Sequence, residues 1–159
     1  MWMTGHSFIK RKMKESGAAL AGEMSGHMFF GPPDYLGFDD ALYAAARLLK
    51  IIAGQPRPLA ALRAELPQYV STPEIRVDCP EDKKFEIVRR AQEWFASRYD
   101  AVTVDGVRVT FPDGWGLVRA SNTQPLLVLR FEALSEGRLA EIQALVTDKV
   151  EALKREVGA

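Results

Sequence analysis

The sequence predicts an α+β fold, and its C-terminal half carries the clearest signals. Asp105-Gly106 lies between two segments of alternating apolar and polar residues, which is a strong short-range hairpin signal. The segments GWGLVRA and PLLVLRFEA are typical of two further strands, and the last segment has the apolar periodicity of a helix. The predicted order β-α-β-β-β-α would form a small antiparallel sheet covered by two helices.

The first half, residues 1–68, contains two short predicted strands and three predicted helices. Thr4 is expected to cap a helix over residues 5–16. SGAALAG is expected to form a short buried strand ending at Gly22, and HMFF is expected to form a second strand. This is too little sheet for a self-contained α/β domain.

The clearest helix of the first half lies in FDDALYAAARLLKIIAG. Asp39 or Asp40 is expected to cap it, and Gly54 is expected to end it. A shorter helix follows Pro58 and is expected to stop at Pro67. The predicted apolar faces consist of Leu42, Ala45, Leu49 and Ile52 in the long helix, and of Leu59, Leu62 and Leu66 in the short one.

The second half, residues 69–159, follows a boundary that we place near Gln68–Ser71. PEIRVDC alternates like a half-buried strand. Helices are expected from residue 82 to about 98 and from residue 135 to about 156. The residues expected to face the core are Phe85, Val88 and Phe95 with Ile87, Ala91 and Trp94 beside them, and Leu139, Ile142, Val146, Val150 and Leu153 in the last helix.

The composition excludes several classes of protein. The chain has 159 residues with 21 basic and 21 acidic side chains, which argues against a general binder of nucleic acid or membrane surfaces. No apolar run approaches the roughly 18–20 residues that span a bilayer, and MWMTGHSFIKRKMK lacks the apolar region of a signal peptide. The single cysteine, Cys79, excludes an internal disulfide. We expect a cytoplasmic chain with no nucleic-acid or membrane partner.

A polar motif, RASNTQP, occupies residues 119–125 between two predicted strands. Its arginine offers a charged fork that matches phosphate oxygens, and its hydroxyl and amide side chains can donate further hydrogen bonds. Gly114 and Gly116 would let the backbone lie close to such an anion. An ordinary polar turn is the alternative, because Ser, Asn and Thr are common turn formers. The candidate anion ligands are Arg119, Ser121, Asn122 and Thr123.

A second motif, GEMSGH at residues 22–27, places a carboxylate, a hydroxyl and an imidazole beside two glycines. Glu23 and Ser25 would point the same way in an extended segment, where they could hold vicinal sugar hydroxyls. A strand-to-strand turn with an exposed glutamate is the alternative. His6 and His27 are the only histidines, and each could bind phosphate or relay a proton. No metal-ligand spacing is evident, so the sequence predicts no metal site in this chain.

Five segments occur in the order TGHSFIK, GEMSGH, GFDDALYAAARLL, STPEI and DGVRVTFPDGWGLVRASNTQPLLVLRFEA. Together they resemble the bacterial phosphomannomutase/phosphoglucomutase family of the α-D-phosphohexomutase superfamily. The resemblance implies that residues 1–68 are the C-terminal part of an α/β third domain, and that residues 69–159 are a TBP-like fourth domain. The family's phosphoserine loop T-x-S-H-N-P and metal loop D-G-D-G-D-R are absent. We therefore expect part of a longer enzyme, with missing N-terminal domains as its partner and no turnover by the chain alone.

The resemblance also implies a chemistry. A phosphoserine would give its phosphoryl group to a hexose 1-phosphate, and a hexose 1,6-bisphosphate intermediate would then return the other phosphate, leaving hexose 6-phosphate. Mg²⁺ would stabilise the transferring group through ligands outside this chain. Glu23 and Ser25 would hold sugar hydroxyls, while His6 and His27 would line the same cleft as candidates for proton transfer. The phosphate that is not transferred would be gripped by Arg119, Ser121, Asn122 and Thr123.

The variants within the superfamily narrow the substrate. Phosphoglucosamine mutases usually have GEQSGH and an RPSGTEP-like loop, whereas this chain has Met24 and RASNT. The resemblance therefore favours a mannose or glucose substrate, although Gln124 departs from the Glu or Thr that is commoner there. The alternative hypothesis is a stand-alone phosphosugar-binding module without catalysis. A third is an inactive remnant without a ligand.

Overall fold

A computed structural model describes the whole chain, Met1–Ala159, which forms two compact units. Unit 1 is Met1–Pro67 and unit 2 is Gln68–Ala159. No helix is both long and apolar enough to cross a membrane. Unit 1 contains α1 (His6–Ser16), β1 (Leu20–Gly22), β2 (Met28–Phe30), α2 (Ala41–Ala53) and α3 (Leu59–Ala64). Unit 2 contains β3 (Val70–Ser71), β4 (Ile75–Asp78), α4 (Lys84–Ala96), β5 (Asp100–Val102), β6 (Val107–Phe111), β7 (Gly114–Ala120), β8 (Leu126–Ala133) and α5 (Glu136–Val157).

Unit 2 is built on a six-stranded sheet in which every pairing is antiparallel. The strand order is β3-β8-β7-β6-β5, and β4 also pairs with β8. The hairpin predicted at Asp105-Gly106 is present between β5 and β6, with Gly106 at a φ of 73°. The α+β class and the antiparallel sheet with two helices are confirmed. The sequence did not predict β3, because a two-residue strand is too short to show alternation.

The helices α4 and α5 pack against the sheet and enclose the core of unit 2. All five apolar residues predicted to face inward from the last helix are buried, so that assignment is confirmed. In α4 the prediction for Phe85 is wrong, since this side chain is 57% exposed. Phe85 lies roughly 100° around the helix from the middle of the buried stripe. That stripe consists of Lys84, Ile87, Val88, Ala91 and Phe95.

Two glycines of β7 allow α5 to pack closely on the sheet. A Cβ at Gly114 would lie 2.7 Å from Cδ1 of Ile142, and one at Gly116 would lie 3.1 Å from Cγ2 of Val146. Both isoleucine and valine belong to α5, so the missing side chains let that helix approach the sheet. The expectation that these glycines bring the backbone close to an anion is therefore wrong.

In unit 1, α1 packs on the two-stranded antiparallel sheet of β1 and β2. The small core of this unit consists of Ile9, Met13 and Phe29, with Ala18 and Ala21 at its edge. The prediction of a buried strand in SGAALAG is wrong in part, because β1 has three residues and Leu20 is exposed. A two-stranded sheet with one helix on it cannot bury both of its faces.

The ends of two helices in unit 1 differ from their predicted positions. Gly5 occupies the N-cap position of α1 with a φ of 128°, so the cap residue lies one position after the predicted Thr4. The backbone N–H of Gly5 is used instead by a side chain of the GEMSGH motif. The helix α3 ends at Ala64, before Pro67, and leaves Leu66 outside it.

The helix α2 begins at a capped end. The Asp40 carboxylate accepts hydrogen bonds from the backbone N–H groups of Leu42 and Tyr43 at 2.9 and 3.0 Å. The Tyr35 hydroxyl donates to the same carboxylate at 2.6 Å. This bond first, and then the Tyr43 amide, lowers the pKa of Asp40 below its ordinary value, and the bond also raises the pKa of Tyr35.

The apolar face predicted for α2 is not covered within unit 1. No residue of this helix is buried, and Leu42 and Leu49 are 84% and 65% exposed. The prediction followed the helical period, but α2 contacts β2 with a different side, through Tyr43 and Arg47 against the Phe30 ring. The face is therefore apolar and unpartnered in this unit.

Candidate functional site

The GEMSGH motif forms a tight turn between β1 and β2. The backbone N–H of Glu23 donates to the carbonyl of His27 at 2.9 Å, and that of Gly26 donates to the carbonyl of Glu23 at 2.9 Å. Gly26 has a φ of 90°, a left-handed conformation that favours glycine. The segment is therefore a turn and not the extended segment considered from the sequence, although Glu23 and Ser25 still point toward a common neighbour.

The turn directs its polar side chains toward one imidazole. The Ser25 hydroxyl lies 2.7 Å from Nδ1 of His27, and Oε2 of Glu23 lies 3.6 Å from the same nitrogen. Ser25 and His27 are exposed, so both are accessible to a ligand. Residues 22–27 thus bring a carboxylate, a hydroxyl and an imidazole together.

Glu23 is the centre of a larger cluster. Its Oε1 accepts a hydrogen bond from the backbone N–H of Gly5 at 3.0 Å, and its Oε2 lies 3.5 Å from Nε2 of His6. Its side chain is only 10% exposed, which contradicts the alternative of a simple turn with an exposed glutamate. One carboxylate therefore joins the start of α1 to the β1–β2 turn and touches both histidines of the chain.

Asp39 completes this cluster, and sequence analysis missed it. Its Oδ1 lies 3.2 Å from Nδ1 of His6, and its backbone forms an isolated antiparallel bridge with Phe29. The His6 ring packs edge-on against Phe29, and the His6 and His27 ring centres are 4.6 Å apart. The available signal was the Asp39-Asp40 pair: only Asp40 caps α2, which leaves the other carboxylate free for a different role. We call His6, Glu23, His27 and Asp39 the histidine cluster.

The RASNTQP motif connects β7 to β8 in unit 2. Ser121 is buried, and its hydroxyl oxygen accepts hydrogen bonds from the backbone N–H groups of Thr123 and Gln124 at 3.3 and 3.1 Å. Its own backbone N–H donates to the carbonyl of Leu126 at 3.0 Å. Ser121 therefore shapes the loop, while the side chains of Asn122 and Thr123 are exposed at its surface.

Arg119 lies in β7 just before this loop. It is half-buried and stands opposite Val128 of β8, on the sheet face away from α4 and α5. The hairpin turn supports its backbone, since a Cβ at Gly106 would lie 2.7 Å from Cα of Arg119. Arg130 of β8 shares this face, and its buried Nε has no hydrogen-bond partner. Sequence analysis missed Arg130, because a single arginine in a strand forms no motif.

A buried lysine holds the other end of the loop. Lys84 is fully buried at the start of α4, and its ammonium donates to the carbonyl of Gln124 at 3.1 Å. The same ammonium pairs with the Glu81 carboxylate at 2.7 Å. The residue pattern does not indicate this role, because Lys84 follows Lys83 in an ordinary charged segment. Lys84 and Ser121 together fix the backbone that presents Asn122 and Thr123.

Two family models match this chain. Residues 1–70 match the alpha/beta/alpha domain III of phosphoglucomutase/phosphomannomutase, and residues 74–149 match its C-terminal domain. The chain belongs to the phosphoglucomutase/phosphomannomutase family. The resemblance drawn from the five sequence segments is therefore confirmed.

Individual members of the family are similar over nearly the whole chain. A phosphomannomutase/phosphoglucomutase of Pseudomonas aeruginosa is 50% identical over 156 residues, which is 96% of this chain and 33% of that protein. A phosphoglucomutase of Neisseria gonorrhoeae is 49% identical over 146 residues, covering 90% of this chain and 31% of that protein. The crystal structure of a phosphoglucomutase/phosphomannomutase family protein from Burkholderia thailandensis superimposes with a TM-score of 0.84 at 46% identity, covering 97% of this chain and 32% of that one. The chain thus spans about a third of the length of these relatives.

Proposed function

We propose that this chain is the sugar- and phosphate-binding C-terminal part of a phosphohexomutase that interconverts hexose 1-phosphate and hexose 6-phosphate, with glucose or mannose as the sugar. The observation that carries the proposal is the construction of the RASNT loop. Its backbone is held by Ser121 and Lys84, while the side chains of Asn122 and Thr123 are exposed just after Arg119 in the chain. A cytoplasmic location belongs to the same proposal.

Arg119 and the loop would grip the phosphate that is not being transferred. A guanidinium binds two phosphate oxygens at once, and the Asn122 amide and Thr123 hydroxyl add donors. Ser121 would act mainly by holding the loop, although its hydroxyl proton is still available to a ligand. Because these donors would recognise the shape and charge of the phosphate and not the sugar, they could bind either phosphate of a bisphosphate.

Glu23 and Ser25 would bind sugar hydroxyls. The Glu23 carboxylate is an acceptor held in place by Gly5, and the Ser25 hydroxyl can donate or accept. His6 and His27 contact this carboxylate and are candidates to bind phosphate or to carry a proton.

The resemblance further implies a phosphoserine, Mg²⁺ and a hexose 1,6-bisphosphate intermediate. Mg²⁺ prefers an octahedral shell of oxygen atoms. The potential ligand atoms that come together in this chain are two imidazoles and a carboxylate, so they do not fit Mg²⁺. We therefore assign no step of the reaction to magnesium bound by these residues. The phosphoserine and the metal ligands belong, in this proposal, to N-terminal domains of the same enzyme.

The proposal is tested by titrating the isotopically labelled chain with glucose 1-phosphate, mannose 1-phosphate and inorganic phosphate. Amide shifts at residues 119–124 are expected with all three ligands, and shifts at residues 23–27 only with the two sugars. Arg119→Gln should abolish the shifts in the loop, whereas Arg155→Gln, which changes an exposed arginine at the end of α5, should leave them. Shifts that survive in Arg119→Gln, or an absence of shifts at millimolar ligand, would contradict binding by this chain.

A coupled assay for hexose 6-phosphate tests the assignment of the missing chemistry. With Mg²⁺ and an activating bisphosphate present, the pure chain should give no turnover, because it lacks both the phosphoserine loop and the metal loop. Clear turnover would show that other residues of this chain transfer the phosphoryl group.

A further inference from the structure

The histidine cluster contains three potential metal ligands from three separate segments. His6 begins α1, His27 ends the β1–β2 turn, and Asp39 precedes α2. One ligand atom from each of the three lies within 4.8 Å of those of the other two. Three residues that are distant in sequence therefore converge around one small volume, which the spacing of the residues along the chain does not reveal.

The separations fit a small first-row transition-metal ion. Zinc binds nitrogen and oxygen ligands at about 2.0–2.1 Å, so neighbouring ligand atoms of a tetrahedral site are about 3.3 Å apart. Nδ1 of His6 and Oδ1 of Asp39 are already 3.2 Å apart. Nδ1 of His27 faces Ser25, so its Nε2 is the nitrogen available to an ion. Only a modest inward movement of the exposed His27 side chain would complete a three-ligand site.

In such a site Glu23 would not bind the ion itself but would accept a hydrogen bond from a histidine that does. Metal-binding histidines commonly donate their second ring N–H to a carboxylate, which fixes the ring and its tautomer. With Nδ1 of His6 on the ion, its Nε2–H would point at Oε2 of Glu23, which lies 3.5 Å away. Glu23 is in turn held by the Gly5 N–H. With neutral imidazoles, the two carboxylates give the cluster a charge that suits a divalent cation.

We propose that His6, His27 and Asp39 bind a divalent transition-metal ion of the zinc type, with Glu23 as the supporting carboxylate. The fourth position of the ion is open to water or to an oxygen ligand. The donor set of two imidazoles and one carboxylate selects this class of ion over Mg²⁺. The site does not rest on the proposed function, because its ligands are defined by their own geometry.

The test is a calorimetric titration of the untagged full chain with Zn²⁺ in a phosphate-free, non-chelating buffer, together with the visible spectrum of the Co²⁺-loaded chain. One site per chain and the absorption bands of four-coordinate Co²⁺ are expected. Asp39→Asn and His27→Gln should each weaken Zn²⁺ binding at least about tenfold, and Glu23→Gln should weaken it by about 10- to 100-fold. Mg²⁺ in large excess should not displace the zinc.

Two controls separate this site from other zinc ligands. Cys79→Ala removes the only thiol, which is buried in unit 2, and Glu15→Gln removes an exposed carboxylate on α1. Both should leave the affinity unchanged. Zinc affinity that is unchanged in Asp39→Asn and His27→Gln, or no zinc binding by the unmodified chain, would overturn the proposal.

A measurement on the unmodified chain covers the case in which a variant does not fold. Paramagnetic Ni²⁺ should broaden the imidazole signals of the two histidines and the amides of residues 22–27 before any others. Broadening that begins elsewhere would contradict the site. No sugar phosphate is present in these experiments, so an absence of zinc binding would not bear on the proposed function. An absence of sugar-phosphate binding would likewise not bear on the metal site.

Discussion

The two units of this chain differ in how far each supports itself. Unit 2 encloses a continuous core between its six-stranded sheet and two helices, and side chains such as Phe95 and Phe131 are fully buried there. Unit 1 buries only a small group around Ile9, Met13 and Phe29, and its longest helix buries nothing. The RASNTQP loop therefore belongs to a self-sufficient unit, and the histidine cluster belongs to a unit with little core of its own.

The difference explains how the same chain can contain a clear fold and an incomplete one. The apolar face of α2 has the composition of a helix that packs on a larger sheet, and unit 1 supplies only two short strands. Relatives about three times as long as this chain are compatible with further structure that covers this face. The face supports the proposal that N-terminal domains of the enzyme complete unit 1.

The largest expected contrast is between core residues of the two units. Phe95→Ala should lower the free energy of unfolding of unit 2 by about 3–5 kcal/mol, because it removes a buried ring from a packed core. Leu49→Ala, on the exposed face of α2, should change stability by no more than about 0.5 kcal/mol. Urea unfolding followed by tryptophan fluorescence and circular dichroism measures both. A loss above about 1 kcal/mol for Leu49→Ala would mean that α2 is covered in this chain.

The second contrast concerns the residues that support the RASNTQP loop. Lys84→Met should destabilise unit 2 by about 1–3 kcal/mol, because the Gln124 carbonyl loses its buried donor. It should also weaken the amide shifts that phosphate causes at residues 121–124. The matched control is Lys83→Met, which changes a neighbouring lysine that reaches only Asp82, at 3.9 Å. Equal effects of the two substitutions would show that Lys84 does not position the loop.

The smallest expected effect is a pH dependence confined to unit 1. The lowered pKa of Asp40 means that its ionised form stabilises the folded state. That stabilisation is fully present above the ordinary value of 3.8 and is lost as the pH falls through the lowered pKa. Asp40→Ala should shorten the start of α2 and remove this dependence at acid pH. A carbon-detected titration of the Asp40 carboxyl checks the direction, and a pKa at or above 3.8 would contradict it.

The sequence predicted the self-sufficient unit better than the incomplete one, and the reason is physical. In unit 2 the strands and α5 pack against each other, so apolar periodicity and burial agree residue by residue. In α2 the same periodicity is present, but Leu42 and Leu49 have nothing to pack against, and the predicted burial fails. Phe85 shows a different limit, since a helix with apolar residues on several sides does not define its own buried face.

The two motifs were visible in the sequence, whereas the residues that support them were not. GEMSGH and RASNTQP are contiguous, so their polar character stands out from the flanking strands. Asp39 and Lys84 reach these motifs only through the fold, by the bridge to Phe29 and by the packing of α4 beneath the loop. The position of a supporting side chain depends on contacts between distant segments, and residue types alone do not contain that information.

The central proposal is that RASNTQP binds phosphate within a self-sufficient unit, whereas GEMSGH binds sugar within an incomplete one. Hydrogen–deuterium exchange of the labelled chain, with and without glucose 1-phosphate, tests it most directly. We expect the slowest exchange in β6, β7, β8 and α5, and distinctly faster exchange in β1, β2 and α2. Glucose 1-phosphate should slow exchange at residues 121–124 and at residues 23–27, and inorganic phosphate should slow it only at the former. Equal protection of the two units without ligand, or protection by phosphate at residues 23–27 alone, would show that the two units do not differ in this way.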